Sequence, residues 1–82
     1  MNELLDVIKV NVSNNFQLKL EFENGETRLF DMKPFLKKKP FITLQKEAIF
    51  ECATVRHGTV VWPGNIDIAP ETLYDYSQPL QS

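Results

Sequence analysis

The stretch Phe16-Gln17-Leu18-Lys19-Leu20-Glu21-Phe22-Glu23, followed at once by Asn24-Gly25, constrains the fold more than any other part of the chain. Phe16, Leu18, Leu20 and Phe22 fall on one side of an extended strand, and Gln17, Lys19, Glu21 and Glu23 on the other. Side chains alternate across a strand with period two, so the segment is expected to bury one face and leave the other in water. Asn24-Gly25 supplies two residues that tolerate positive φ, as a type I′ hairpin turn demands. Glu26-Thr27-Arg28-Leu29-Phe30 should then return antiparallel. Upstream, Val7-Ile8-Lys9-Val10-Asn11-Val12 alternates apart from Ile8, and Ser13-Asn14-Asn15 is a turn cluster. These signals predict a three-stranded meander.

The second half carries shorter elements. Asp31 is a candidate cap for a helical turn over Met32–Leu36, which Pro34 keeps short. Thr43 is a candidate cap for a turn through Glu47. Phe50 to Val55 reads as a strand containing Cys52, His57-Gly58 as a turn, and Thr59–Trp62 as the antiparallel partner. Pro63-Gly64 stops that strand. Ile66-Asp67-Ile68 is a brief extended piece, and Asp67 is expected to bond backbone N–H groups near the helix start that follows. Pro70 suits the first helical position, where its missing N–H costs nothing, and Glu71 suits the positive helix N-terminus. Leu73, with Tyr74 or Tyr76, should return to the sheet. The fold class predicted is α+β, a small antiparallel sheet of about five strands with short helices packed on one face. Residues 1–82 form one domain, with a core over about 6–76 and a loose tail over 77–82.

Composition narrows the function. A chain of 82 residues buries only about 60–65% of its unfolded surface, enough for one small core. With 43% hydrophobic and 24% charged residues it is not a disordered chain. A protein that coats nucleic acid non-specifically carries a clear positive excess, whereas the formal net charge here is -2. A single cysteine, Cys52, cannot form an internal disulfide, which fits a reducing cytoplasm. Met1-Asn2-Glu3-Leu4-Leu5-Asp6 is acidic where a signal peptide is basic, and no apolar run approaches the roughly 20 residues that span a bilayer. A cytoplasmic protein without membrane association is expected.

Little in the sequence points to catalysis. His57 and Cys52 are the only histidine and cysteine, and a nucleophile pair needs hydrogen-bond reach plus an orienting third group. Cys52 lies among apolar neighbours and reads as a small core residue. One histidine cannot build a zinc site. Gly25, Gly58 and Gly64 are isolated and form no phosphate-binding loop. An acid–base role for Asp31, His57 or Asp67 needs them to meet in space. No enzyme activity, metal or cofactor is expected. Lys37-Lys38-Lys39, flanked by Lys33 and Lys46, is either a solvated loop or a set of phosphate contacts for nucleic acid. Phe16, Phe22 and Phe50 fall on faces predicted to be buried, so they form core rather than a base-stacking platform. Trp62, at the rim of the sheet before Pro63 and Asn65, either caps the core or anchors a partner. Open sheet edges offer a route to a homodimer.

The residues also resemble a family. Leu18-Lys19-Leu20-Glu21-Phe22, the Asn24-Gly25 turn and Phe30-Asp31-Met32-Lys33-Pro34-Phe35-Leu36 match the bacterial domain of unknown function 2442 family. Phe41, Leu44 and Phe50 continue the match. Its most specific part is Val61-Trp62-Pro63-Gly64-Asn65-Ile66-Asp67-Ile68-Ala69-Pro70-Glu71-Thr72-Leu73-Tyr74. Relatives often have Asp-Gly where this chain has Asn24-Gly25. The resemblance implies a compact α+β domain with a curved antiparallel sheet, and no established activity. Relatives are often encoded beside another small protein, an arrangement that looks like a toxin–antitoxin pair. The resemblance thus implies an antitoxin-like interaction module with a small, toxin-like protein partner. Some relatives add a C-terminal helix-turn-helix domain, which is not expected within these residues.

Overall fold

The computed structural model describes residues 5–80. Strands β1 (Val7–Ser13), β2 (Gln17–Phe22), β3 (Thr27–Asp31) and β7 (Gln78–Pro79) form one antiparallel sheet in that order. Strands β4 (Thr54–Arg56), β5 (Thr59–Trp62) and β6 (Ile66–Ile68) form a second. Single 3-10 turns at Lys33–Phe35 and Phe41–Gln45 and two short helices, α1 (Glu47–Phe50) and α2 (Pro70–Asp75), fill the intervals. The class is α+β, as the sequence pattern predicts. The expected single sheet of about five strands is instead two sheets. Residues 32–53, with two prolines and helical turns, separate β3 from β4 and carry the chain out of line with the first sheet. Among the described residues one backbone bond links the sheets, from Val7 N to the Gly58 carbonyl at 2.8 Å.

The alternating pattern acts as expected in β2. Leu18, Leu20 and Phe22 are buried, while Lys19 and Glu23 are exposed. Leu18 pairs with Val12 on one side and Phe30 on the other, so one face of the meander is apolar across three strands. The exception to alternation at Ile8 has a structural cause. The β1–β2 register shifts between Val7 and Lys9, which makes Ile8 an inserted bulge residue, 58% exposed. Phe16 belongs to the turn rather than to β2, with φ 59°, and its ring meets Phe50 edge-on at 5.2 Å.

The β2–β3 hairpin differs from the expected type I′ turn. Gly25 has φ 90°, but Asn24 is not in the left-handed region. Gly25 N bonds the Phe22 carbonyl and Phe22 N bonds the Glu26 carbonyl, both at 2.9 Å. The loop is therefore a three-residue type I turn closed by a glycine bulge. Asn24 is held there by its side chain: Oδ1 accepts from Glu26 N at 3.0 Å and Nδ2 donates to Glu26 Oε2 at 2.7 Å. The tight two-residue turn lies at His57-Gly58, between the paired Arg56 and Thr59, and both residues have positive φ.

In the second sheet Val60 pairs with Ile68 and Trp62 with Ile66, and all four are buried. Both sheets turn their apolar faces to a common core closed by Met32, Leu44, Phe50 and Leu73. The predicted strand over Phe50–Val55 is corrected. Glu47–Phe50 is helical, and Glu51 N and Cys52 N continue helical bonding to Glu47 and Ile49. Only Thr54–Arg56 is extended, and Cys52 is exposed rather than core.

The predicted loose tail is also corrected as far as Leu80. Ser77 is buried, Gln78–Pro79 pairs with β3, and Leu80 N bonds the Thr27 carbonyl at 2.9 Å. Gln81 and Ser82, and Met1–Leu4 of the acidic N-terminal segment, lie outside the described residues. Among the described residues no helix is long and apolar enough to cross a membrane.

Candidate functional site

Three groupings of side chains stand out. The first is the outer face of the second sheet. Thr54, Val61 and Asp67 lie side by side across β4, β5 and β6, on the face opposite Val60 and Ile68. With Cys52, Arg56, His57 and the Pro63-Gly64-Asn65 loop they line an open depression of about 510 Å³. Pro63 and Asn65 are exposed there, and Gly64 and Asn65 take φ of 91° and 61° to return the chain to β6.

Trp62 borders the depression, but it is buried and offers no exposed anchor there. It is 3% exposed, its ring stacks on Phe50 at 5.9 Å, and its indole N–H donates to the Phe50 carbonyl at 3.0 Å. The indole caps the core, because β5 alternation turns Trp62 to the same side as Val60. Asp67 is corrected as well. Its place opposite Val61 puts it on the outer face, away from the helix start, and it makes no side-chain hydrogen bond among the described residues. Helix α2 begins at Pro70 with Glu71 in its first turn, as predicted, but its N-cap Ala69 brings no side-chain bond.

The depression gathers Cys52, His57 and Asp67 without joining them chemically. Among the described residues no hydrogen bond links any two of them, and the Cys52 thiol donates to the Ala48 carbonyl at 3.3 Å. A nucleophile–base–orienter chain needs those bonds. Asp31 stands apart at the end of β3, where Oδ1 accepts from Lys33 N at 3.0 Å, so it does steady the turn that follows. Among the described residues no three His, Cys, Asp or Glu side chains are placed to hold a metal ion.

The second grouping joins two distant parts of the family-like sequence. Glu26 Oε1 accepts from Arg28 at 2.7 Å, and its Oε2 accepts from Asn24 and from the Tyr74 hydroxyl at 2.6 Å. Arg28, opposite Leu20 on the core face of β3, keeps its side chain only 12% exposed. Its Nε donates to Ser77 Oγ at 2.7 Å, its Nη2 to the Ser77 carbonyl at 3.0 Å, and its guanidinium lies 4.2 Å from the centre of the Tyr74 ring. The Tyr74 hydroxyl, then Asn24 and Arg28, hold the Glu26 carboxyl below the usual carboxylate range. The same Glu26 bond raises the Tyr74 phenol above its ordinary value. Every polar atom here has a partner, so this cluster fastens the C-terminal strand. Leu73 beside it is buried in the core.

The third grouping is a charged and aromatic surface. Lys37, Lys38 and Lys39 are all exposed, on a loop between Phe35 and Phe41. Phe35 sits 6.4 Å from Phe41 and 6.0 Å from Tyr76, and backs onto buried Phe30 at 5.3 Å. Tyr76 is 69% exposed and Ile42 43% exposed. Residues 32–46 hold five lysines and no acidic residue. In a chain of net charge -2 those five positive charges leave -7 on the remainder. Sequence reasoning found the lysines but missed Phe35, Phe41 and Tyr76. The available signal was the two phenylalanines that bracket the lysine run. Of the three aromatics it placed in the core, Phe22 and Phe50 are buried, and Phe16 is partly buried and packed against that core.

Compared with known proteins, residues 7–79 match the family described as "Protein of unknown function (DUF2442)". No curated protein and no solved structure matches the chain.

Proposed function

We propose, on the premise that the chain belongs to the DUF2442 family of proteins of unknown function, that this domain is a non-enzymatic interaction module whose working surface is the lysine-bearing face around Tyr76. The observation that carries this reading is the segregation of charge. Residues 32–46 carry five lysines, of which Lys33 pairs with Asp31 at 3.8 Å, and Phe35 in that segment meets the exposed Tyr76, in a chain that is otherwise acidic. Long ammonium side chains around an apolar centre suit a surface that holds a partner rather than transforms one. The unlinked Cys52, His57 and Asp67 support the non-enzymatic part. An antitoxin-like role, with a small toxin-like protein as the partner, is the form this reading takes from the family resemblance. The unpaired thiol of Cys52 accords with a cytoplasmic setting.

Site-dependent photo-crosslinking in the native host tests the proposal. A crosslinking amino acid at Tyr76 should give an adduct, and the same group at Asn65, on the second-sheet depression, should not. An adduct from Asn65 alone, or only free monomer from both, would move the working surface elsewhere. A homodimer through a sheet edge would appear as an adduct between two copies.

The exposed lysine run favours one second reading, a DNA- or RNA-binding regulator that contacts phosphates through Lys37, Lys38 and Lys39. Its affinity would fall steeply with salt and vanish in the Lys37→Glu, Lys38→Glu, Lys39→Glu variant.

A further inference from the structure

Resting on the assignment of this face as the working surface, we infer that its occupant is an acidic protein segment that presents a large apolar or aromatic side chain to Tyr76. Three features of the face select that chemistry over a nucleic acid. The first is which apolar groups are open. A strand of nucleic acid needs successive free ring faces on which bases stack. Here Tyr76 alone is widely exposed. Phe35 and Phe41 are half-buried and spend their faces and edges on one another, on Tyr76 and on Phe30. The other open apolar group, Ile42, is aliphatic and offers no stacking surface. An exposed aromatic backed by half-buried rings, with charged side chains on the adjoining loop, is the anatomy of a protein-binding hot spot.

The second feature is the extent of the charge. The five lysines lie within fifteen residues of a molecule measuring 34 × 26 × 18 Å, and the rest of the chain carries -7. Charges on a short acidic segment interact within the roughly 8 Å over which salt leaves them unscreened. A long polyanion would run off this face onto a surface of its own sign. The third feature is the kind of cation. The face is built from lysines, which act as point charges, and both arginines lie elsewhere: Arg28 is enclosed by Glu26, Tyr74 and Ser77, and Arg56 is in β4. Forked, bidentate recognition of phosphate is an arginine property that this face lacks.

A random-peptide phage library selected on the intact domain, and depleted on the Lys37→Glu, Lys38→Glu, Lys39→Glu variant, tests the inference. Enriched peptides should carry net negative charge and at least one large apolar or aromatic residue. In a fluorescence anisotropy titration of the most enriched peptide, Tyr76→Ala should weaken binding about tenfold or more, as loss of a hot-spot aromatic does. A thermal melt shows whether each variant keeps the fold, which is expected because these side chains are on the surface. The same titration uses a single-stranded oligonucleotide at equal salt, and it should bind more weakly than the peptide. Enrichment of peptides without acidic residues, no lysine-dependent enrichment at all, or an unchanged affinity in Tyr76→Ala would each overturn the inference. Tighter binding of the oligonucleotide would overturn it too, yet leave the face as the working surface. Failure of crosslinking at Tyr76 in the host would remove the face itself, so the two failures are distinct.

Discussion

Replacing Trp62 with phenylalanine isolates what the buried indole contributes. The substitution removes the indole N–H that donates to the Phe50 carbonyl at 3.0 Å and the part of the ring stacked on Phe50. That carbonyl keeps a second donor, Ala53 N, at 3.2 Å. The lost bond should therefore cost about 0.5–1.5 kcal/mol rather than the larger penalty of an orphaned buried acceptor. The partly unfilled ring site adds about 1 kcal/mol, comparable with other small deletions in a tight core. The sum, about 2 kcal/mol, is a large share of the roughly 4–12 kcal/mol expected for a domain of this size. Urea denaturation followed by far-ultraviolet circular dichroism gives the measurement. With m near 1–2 kcal/mol/M the midpoint should fall by about 1–2 M at unchanged m. In the parent protein, tryptophan emission should be blue-shifted and resist quenching by acrylamide. A loss below about 0.5 kcal/mol together with ready quenching would refute the buried placement and return Trp62 to the surface.

Two further tests address the turns and the Glu26 cluster. Gly58 has φ 78° and a Cβ there would run into the Asp6 carboxylate, whereas Gly25, at φ 90°, has open space around it. Gly25→Ala should cost about 1 kcal/mol from backbone strain alone, and Gly58→Ala should lower the melting temperature further. Asp6→Ala should recover that excess in the Gly58→Ala background but not in Gly25→Ala, and equal losses at the two glycines would sink the argument. For the cluster, the folded-state carboxyl of Glu26 titrates below its unfolded value. Its contribution is complete above the ordinary carboxylate range and is lost as pH falls through the lowered folded value. Tyr74 is raised, so its contribution is complete below the ordinary phenol range and is lost as pH climbs through the raised value. Stability measured against pH should fall less steeply in acid for Glu26→Gln than for the parent, and superimposable acid limbs would contradict the assignment.

How much of this was legible in the sequence depended on whether a signal was local. The alternation in β2 and Pro70 at the start of α2 are decided within a few residues, and they behave as their patterns indicate. Even the break at Ile8 had a meaning, since an extra residue in one strand disturbs period two. What failed required knowledge of distant partners. The Asn24 backbone departs from the expected turn because its side chain is held by Glu26, and Glu26 is in turn held by Tyr74, far along the chain. Cys52 was placed inside by its apolar neighbours, but helical bonding around Glu47–Ala53 rotates it outward. Asp67 lies near α2 in sequence, yet pairing with β5 fixes the side it faces. The lysines were visible as a run. Tyr76 joined them only through α2, which no local pattern in residues 33–46 could reveal.

The short strand β7 has a consequence for how the chain completes itself. Within each meander, hydrogen-bonded strands are consecutive in sequence: β1–β2–β3 in one sheet, β4–β5–β6 in the other. Such contacts form early, because little chain entropy is lost in closing them. Arg28 belongs to the first meander, but the groups that receive its Nε and Nη2 protons are on Ser77. During synthesis from the N-terminus, the first sheet can therefore assemble with Arg28 paired to Glu26 while two of its donors still await the acceptors on Ser77. Docking of Ser77 thus completes the hydrogen bonding of a side chain that the first meander leaves partly satisfied. A chain cut before Ser77 leaves those two donors without their acceptors on a side chain that is only 12% exposed in the complete fold.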